Sequence, residues 1–175
     1  MEKTLSDIRF GILIISDRSS RGEREDLCGP ALARTLESYG WSVWKVEIVP
    51  DEREQIADRL KRWADCGEVD VILTSGGTGF AKRDVTPEAT LEVVERLAPG
   101  IAEAIRDASI KITPHGMLSR GVAGLRKQTL IVNLPGSPKG ALESLEVVRP
   151  VLPHAVQLLR EDVQAEQGHR YSGER

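Results

Sequence analysis

A glycine-rich segment is the part of this sequence whose chemistry is easiest to interpret. Ser75-Gly-Gly-Thr-Gly79 follows an apolar run, and glycines let backbone N–H groups turn toward an anion without a Cβ in the way. Three glycines in four residues exceed what a turn from a strand to a helix needs, so a phosphate-binding loop is favoured over a turn alone. The segment fits neither the Walker loop nor the G-x-G-x-x-G fingerprint, because Lys82 stands three residues after Gly79 and no Lys-Ser or Lys-Thr pair closes it.

Two acidic residues are placed to act beside this loop. Asp84, next to Arg83, lies just after it, and a carboxylate beside bound phosphate is repelled unless a cation lies between them. Asp84 is therefore a candidate Mg²⁺ ligand, and the alternative is that it caps a turn or pairs with Arg83. Asp51 follows Pro50 at the end of a predicted strand, where it is either a turn residue or a second acid of the site.

A second loop repeats this arrangement. Pro135-Gly-Ser-Pro-Lys139 follows another apolar run, and its serine and proline suit the N-cap and first position of a helix. Its free N–H groups and the Lys139 ammonium would form a second anion site, and the alternative is a well-capped helix without a ligand. Arg120 is either available to phosphate or an ordinary surface charge. The three histidines share no metal-ligand spacing and are interpreted as surface or core residues.

Hydrophobic patterning predicts the elements that position these loops. Apolar and β-branched runs predict strands over 10–16, 43–49, 69–74 and 129–134. Periodic apolar positions predict helices from Pro30 to Tyr39, over 56–64, from Thr86 through Leu97, over 101–108 and from Pro138 onward. Thr86, Pro87 and Glu88 have the chemistry of a helix start: a hydroxyl N-cap, a proline at the first position and a carboxylate near the positive end of the dipole.

Strands alternating with helices predict an α/β fold with three αβα layers, a mostly parallel sheet and helices on both faces. The carboxyl ends of parallel strands share one edge of the sheet, where ligands bind. Four segments are expected to meet at that edge: Ser16-Asp17, Pro50-Asp51, Ser75 to Gly79 and Pro135 to Lys139. The charged stretch 17–26 is interpreted as an exposed loop that could close over a nucleotide, and 111–125 has no clear period.

Composition excludes several classes of function. The 175 residues include 24 Lys plus Arg and 27 Asp plus Glu, and the net charge of −3 provides no broad positive field for nucleic acid or an anionic membrane. Cys28 and Cys66 form neither a disulfide framework nor a metal-ligand pair and are interpreted as small buried residues in a reducing compartment. No apolar run has the length of a signal peptide or membrane span. We expect a cytoplasmic protein with one domain over 8–160 and a polar tail over 161–175.

Four motifs in this order resemble the molybdenum-cofactor biosynthesis family of molybdopterin-binding proteins. They are Thr74-Ser-Gly-Gly-Thr-Gly79, Arg83-Asp-Val-Thr-Pro-Glu88, Leu118-Ser-Arg120 and Asn133-Leu-Pro-Gly-Ser-Pro138. The resemblance covers residues 8–160 and implies a molybdopterin-binding-type fold.

The resemblance also implies a reaction. The terminal phosphate of molybdopterin would attack the α-phosphate of ATP in the presence of Mg²⁺, releasing pyrophosphate, and the product would pass to a molybdate-insertion enzyme. Asp51 and Asp84 match the family's important carboxylates, and we assign them to metal binding and positioning, with general-base catalysis as the lesser possibility. The resemblance further implies a homo-oligomer, as a trimer. The alternative function is a molybdopterin-binding carrier or scaffold that does not turn over ATP.

Eighteen further residues are candidates for substrate or nucleotide binding. They belong to the loops and motifs above: Ser16, Asp17, Thr74, Ser75, Gly76, Gly77, Thr78, Gly79, Arg83, Thr86, Pro87, Glu88, Ser119, Arg120, Pro135, Gly136, Ser137 and Lys139.

Overall fold

The computed structural model describes residues 7–160, in which a six-stranded sheet lies between two layers of helices. The strands are β1 (Arg9–Ile15), β2 (Ser42–Val49), β3 (Val71–Ser75), β4 (Arg96–Leu97), β5 (Ala123–Arg126) and β6 (Thr129–Leu134). The helices are α1 (Asp17–Ser20), α2 (Cys28–Ser38), α3 (Arg53–Asp65), α4 (Thr86–Val93), α5 (Pro99–Ile112), α6 (Pro138–Val148) and α7 (Leu152–Leu159). Short 3-10 turns occupy Pro114–Leu118 and Arg149–Val151. The predicted tail, 161–175, lies outside the described residues.

The sheet has the order β2-β1-β3-β6-β5-β4. The first four strands are parallel, whereas β5 runs antiparallel to β6 and β4 antiparallel to β5. The prediction of a mostly parallel sheet with helices on both faces is therefore confirmed. The four parallel strands bring their carboxyl ends to one edge.

Two apolar cores fix the three layers. The buried strand β1 turns alternate side chains to opposite faces, so Phe10, Ile12 and Ile14 pack with α2, α5, α6 and α7, while Leu13 and Ile15 pack with α3 and α4. Because both faces are covered, β1, β3 and β6 are buried almost throughout and largely apolar, which is the pattern that made them recognisable in the sequence. None of the helices within residues 7–160 is long and apolar enough to cross a membrane.

Several predicted elements were wrong in detail. The stretch 17–26 is not entirely loop, since the Ser16 hydroxyl accepts a hydrogen bond from Ser19 N at 3.1 Å and caps α1. Leu97 does not belong to the helix that begins at Thr86, because that helix ends at Val93 and Leu97 lies in β4. The segment without a clear period contains the end of α5, a 3-10 turn and part of β5, and these pieces are too short to show periodicity.

The cysteines differ from each other. Cys28 is buried, as predicted, but Cys66 is exposed and donates its thiol hydrogen bond to the Trp63 carbonyl at 3.0 Å. The prediction of two buried cysteines is therefore wrong for Cys66, which ends α3 at the surface.

Asn133 connects the sheet to α4 beneath the site. Its side-chain amide donates to Thr74 Oγ1 at 3.0 Å and to Thr90 Oγ1 at 2.9 Å, and its side-chain oxygen accepts from Val122 N at 3.2 Å. Asn133, Thr74 and Thr90 are all buried. The Thr74 hydroxyl is therefore held in the protein interior by Asn133.

We expect Asn133→Ala to lower the free energy of unfolding by about 1–3 kcal/mol, because it leaves buried polar partners unsatisfied. Urea denaturation would measure this, with Gln55→Ala as the control for losing an exposed amide side chain. Equal losses in the two variants would contradict the role given to Asn133.

Asp65 links α3 to β5 at the opposite end of the sheet. Arg126 donates to both of its carboxylate oxygens, at 3.0 and 2.8 Å, and the Lys127 ammonium lies 2.9 Å away. These cations lower the pKa of Asp65 to about 2.

A lowered carboxyl pKa contributes stability that is present above the unfolded-state pKa and lost as the pH falls toward the folded-state value. We therefore expect the difference in unfolding free energy between the wild type and Asp65→Asn to narrow as the pH falls from about 5 to about 3. Urea titrations at several pH values would measure it. Asp58→Asn, which breaks an exposed i,i+4 pair with Arg62, is the control and should show little change across that range.

Candidate active site

The four predicted segments meet at the carboxyl edge of the parallel strands. Ser16 N donates to the Val49 carbonyl at 2.9 Å, and Gly76 N donates to the Leu134 carbonyl at 3.3 Å. A Cβ on Gly136 would lie 3.2 Å from Gly76 Cα, so the two glycine loops touch through their backbones. The expectation that these segments converge is confirmed.

The conformation of the first glycine loop requires its glycines. Gly76 has a φ of +109°, and a Cβ on it would lie 2.2 Å from the Ile15 carbonyl oxygen. Gly77 has a φ of +64°, and a Cβ on it would lie 2.4 Å from Thr86 Oγ1. Thr86 holds the loop from behind, because its hydroxyl donates to the Gly76 carbonyl and its N–H to the Gly77 carbonyl. The amides of 77–79 have no hydrogen-bond acceptor within the described residues, so they are free to bind an anion.

Thr86 does not have its predicted role. The N-cap of α4 is Val85, which places Thr86 at the first helical position and Pro87 at the second. Both are buried, and the Thr86 hydroxyl bonds to the glycine loop and not to the helix amides.

Asp51 is held by reciprocal hydrogen bonds with Asp17. Asp17 N donates to Asp51 Oδ2 at 2.8 Å, and Asp51 N donates to Asp17 Oδ1 at 3.0 Å. The other oxygen, Asp51 Oδ1, would lie 3.1 Å from a Cβ on Gly77 and so faces the glycine loop. Burial, together with the charges of Asp17 and Asp84, raises the pKa of Asp51.

Arg83 stabilises this pair from behind. Its guanidinium donates two hydrogen bonds to Asp17, both at 2.9 Å, and one to Glu52 at 2.8 Å. These bonds lower the pKa of Asp17 and raise that of Arg83. Arg83 therefore orients Asp51 through Asp17, and it does not pair with Asp84.

Asp84 closes the turn after the glycine loop, since its Oδ2 accepts from Ala81 N at 3.0 Å. A Cβ on Gly79 would lie 2.9 Å from the same oxygen, so the glycine gives the carboxylate its room. This is the turn-capping alternative considered from the sequence. It does not exclude ligand binding, because Asp84 also lines the cleft that Asp51 lines.

Arg120 joins both ends of this turn. Its guanidinium donates to the Gly79 carbonyl at 2.8 Å and the Asp84 carbonyl at 2.7 Å, and it forms an ion pair with Glu88. Its backbone N–H donates to the Thr78 carbonyl at 2.9 Å. The ion pair lowers the pKa of Glu88. Arg120 thus holds the loop that carries Asp84.

Arg106 of α5, a residue that sequence reasoning missed, holds Arg120 in turn. Its guanidinium donates to the carbonyls of Ser119 and Gly121, both at 3.0 Å, on either side of Arg120. No motif distinguishes Arg106 in the sequence, because its partners are backbone carbonyls 13 and 15 residues away.

Two clefts lie on either side of the touching loops. The first, of about 350 Å³, we call the acidic cleft, because Glu25, Asp26, Asp51 and Asp84 line it. The second, of about 570 Å³, we call the lysine cleft, because Lys139 lines it. Eight of the predicted site residues line the acidic cleft: Ser16, Asp51, Ser75, Gly76, Gly77, Asp84, Gly136 and Ser137.

The lysine cleft contains the other loop residues predicted from the sequence. They are Thr78, Gly79, Ser119, Pro135, Ser137 and Lys139, so Ser137 lines both clefts. The Ser137 hydroxyl accepts from Gly140 N at 3.1 Å and caps α6, as predicted. Ile112 and Leu118 also line this cleft and give it an apolar surface that the sequence did not reveal, and the His115 imidazole lies beside them.

Seven predicted binding residues line neither cleft. Four of them form the ion pairs described above: Asp17, Arg83, Glu88 and Arg120. The other three are buried beneath the loops: Thr74, Thr86 and Pro87. Conversely, Arg24, Asp26 and Cys28 line the acidic cleft without having been predicted as site residues. Cys28 Sγ lies 3.1 Å from Ser75 Oγ, which donates to the Pro135 carbonyl at 2.8 Å.

Residues 11–154 match the family model MoCF_biosynth, described as a probable molybdopterin binding domain. The chain belongs to this molybdenum cofactor biosynthesis family. The match spans all four segments that form the site and both clefts.

Individual members are similar over most of their length. The molybdopterin adenylyltransferase of Helicobacter pylori strain J99 is 43% identical over 157 residues, which cover 89% of each chain. The molybdopterin adenylyltransferase of Escherichia coli K12 is 40% identical over 169 residues, covering 89% of this chain and 87% of the relative. The crystal structure of the molybdopterin biosynthesis enzyme MoaB from Thermus thermophilus has 52% sequence identity and a TM-score of 0.83, covering 88% of this chain and 97% of that one.

The motifs that carried the resemblance to the molybdenum cofactor biosynthesis family divide by role. The glycine residues and Asp84 line the clefts, whereas Arg83, Glu88 and Arg120 line neither cleft and form ion pairs beside them. The arginines of these motifs are therefore structural supports of the site.

We expect Arg120→Gln to loosen the loop over 78–88 and to lower the free energy of unfolding by about 1–3 kcal/mol, because carbonyls and a carboxylate lose a charged donor. Hydrogen–deuterium exchange should show faster exchange in that segment. Arg53→Gln, which removes only an exposed ion pair with Glu92, should leave the segment unchanged. Unchanged hydrogen–deuterium exchange of residues 78–88 in Arg120→Gln would contradict the role of Arg120 in holding this loop.

Proposed function

We propose that this chain is a molybdopterin adenylyltransferase that uses Mg²⁺ and ATP to adenylylate the terminal phosphate of molybdopterin and releases pyrophosphate. Two similar proteins that match most of its length carry that name. The single observation that carries the proposal is the placement of Asp51 and Asp84 along one cleft, beside a glycine loop with free amides. A carrier that only holds molybdopterin has no need of these two carboxylates.

The donor set of the acidic cleft fits Mg²⁺. Within residues 7–160 no group of three or more His, Cys, Asp or Glu side chains is arranged as a complete metal site. Mg²⁺ typically binds through one or two carboxylates and completes its coordination with water and substrate phosphates. Asp51 and Asp84 supply this number. Burial, and after it the negative charges of Asp17 and Asp84, raise the pKa of Asp51, and a bound cation would offset that charge. When bound, the ion would neutralise phosphate charge and align the reacting groups.

The two clefts suit the two substrates. We assign the triphosphate of ATP to the acidic cleft, because metal-bound phosphates belong beside Asp51 and Asp84. We assign molybdopterin to the lysine cleft, where Ile112 and Leu118 offer apolar surface to the pterin ring and Lys139 offers a cation to its phosphate.

The reaction needs little proton transfer. A phosphate monoester has a second pKa near 6, so the molybdopterin phosphate is largely dianionic at about pH 7 and is already nucleophilic. Its oxygen attacks the α-phosphorus of ATP, a P–O bond forms, and the bond from the α-phosphorus to the bridging oxygen breaks to release pyrophosphate. The barrier lies in bringing two anions together. The amides of 77–79 lie between the clefts and are placed to stabilise negative charge there.

We further propose that the product passes to a molybdate-insertion enzyme, that the protein assembles as a trimer and that it acts in the cytoplasm. The competing function is a non-catalytic molybdopterin carrier of the same family. Such a carrier would use the same clefts but would not convert ATP.

Purified protein supplied with molybdopterin, ATP and Mg²⁺ should release pyrophosphate, and Asp84→Asn should reduce the rate by about 100-fold or more. Molybdopterin binding should be retained, because the lysine cleft is intact. A coupled pyrophosphate assay and a fluorescence titration with molybdopterin measure the two effects.

Asp107→Asn is the matched control, since Asp107 forms an exposed i,i+4 pair with Lys111 on α5. It should leave both measurements unchanged. Wild-type protein that binds molybdopterin but releases no pyrophosphate would favour the carrier. Wild-type protein that binds no molybdopterin would contradict both functions.

A further inference from the structure

We propose that Arg24 binds the phosphate groups of the nucleotide in the acidic cleft. This inference rests on the proposed function and goes beyond it, because Arg24 belongs to none of the motifs that carry the family resemblance. It lies after α1 in the charged stretch 17–26 and lines the acidic cleft together with the glycine loops.

The other cations near the acidic cleft are already engaged. Arg83 is bonded to Asp17 and Glu52, and Arg120 to two carbonyls and Glu88. Neither lines the cleft. Lys139 lines only the lysine cleft.

Arg24 differs from these arginines because its guanidinium has no partner among residues 7–160. Among residues 7–160, Arg24 is the one lysine or arginine that lines the acidic cleft. Its guanidinium makes no hydrogen bond or ion pair with any of these residues. Its neighbour Asp26 does not hold it, because Asp26 Oδ1 accepts instead from Cys28 N and Gly29 N at the start of α2. Arg21, in the same stretch, is paired with Glu23.

An unpaired guanidinium suits this position chemically. Four carboxylates line the acidic cleft, and a nucleotide triphosphate would add further negative charge. Arginine presents planar, parallel N–H donors that match two phosphate oxygens at once, and such charge-assisted bonds are stronger than those between neutral groups. Arg24 can therefore neutralise nucleotide charge in a cleft that neither Arg83 nor Arg120 lines.

The test compares Arg24→Gln with Arg24→Lys and with Arg18→Gln as the matched control. Arg18 lies in the same charged stretch but lines neither cleft. Isothermal titration calorimetry with ATP and Mg²⁺, and separately with adenosine, measures binding without requiring turnover. We expect Arg24→Gln to bind Mg·ATP about tenfold more weakly and adenosine unchanged, and Arg24→Lys to bind Mg·ATP with intermediate affinity. Arg18→Gln should bind both as the wild type does.

The outcomes separate this inference from the proposed function. If the wild type binds Mg·ATP and Arg24→Gln binds it equally well, the assignment of Arg24 is wrong and the proposed function stands. Equal weakening in Arg24→Gln and Arg18→Gln would show a general charge effect and would also overturn it. If the wild type binds no Mg·ATP, the proposed function fails and the assignment of Arg24 fails with it.

Discussion

The reciprocal hydrogen bonding of Asp17 and Asp51 is the interaction on which the site depends. Each residue donates its backbone N–H to the other's carboxylate, so the ends of two neighbouring parallel strands are joined where the sheet stops. This arrangement brings two negative charges together at a partly buried position. It is sustained because Arg83 offsets the charge of Asp17 and leaves that of Asp51 facing the acidic cleft.

Positive charge in this site is used mainly behind the binding surfaces. Arg83, Arg106 and Arg120 together donate to two carboxylates of the loops, to Glu88 and to four carbonyls. Arg120 thereby holds the loop carrying Asp84 at both ends. A net charge of −3 is compatible with anionic substrates for this reason, since the binding surfaces rely on backbone amides and few free cations.

The fold and the main loops could be predicted from the sequence because their signals are local. The apolar run of β3 and the glycines after it are contiguous, and Asp51 and Asp84 stand close in sequence to a strand end or to the glycine loop. The side-chain partners of Arg83 and Arg120 could not be predicted, because they lie 31 to 66 residues away and an arginine can pair with any carboxylate or carbonyl. The strands β4 and β5 were missed because two and four residues are too few for a pattern.

The free amides of 77–79 also determine how the site responds to acidity. A peptide N–H carries no titratable proton in the physiological range, so its capacity to hold an anion is the same in mildly acidic and mildly alkaline solution. A site built on histidine would change its charge over that range as the imidazole titrates. In this chain the glycine loop itself therefore adds no pH dependence to anion binding, and the response that remains comes from the side chains around it and from the phosphate of the ligand.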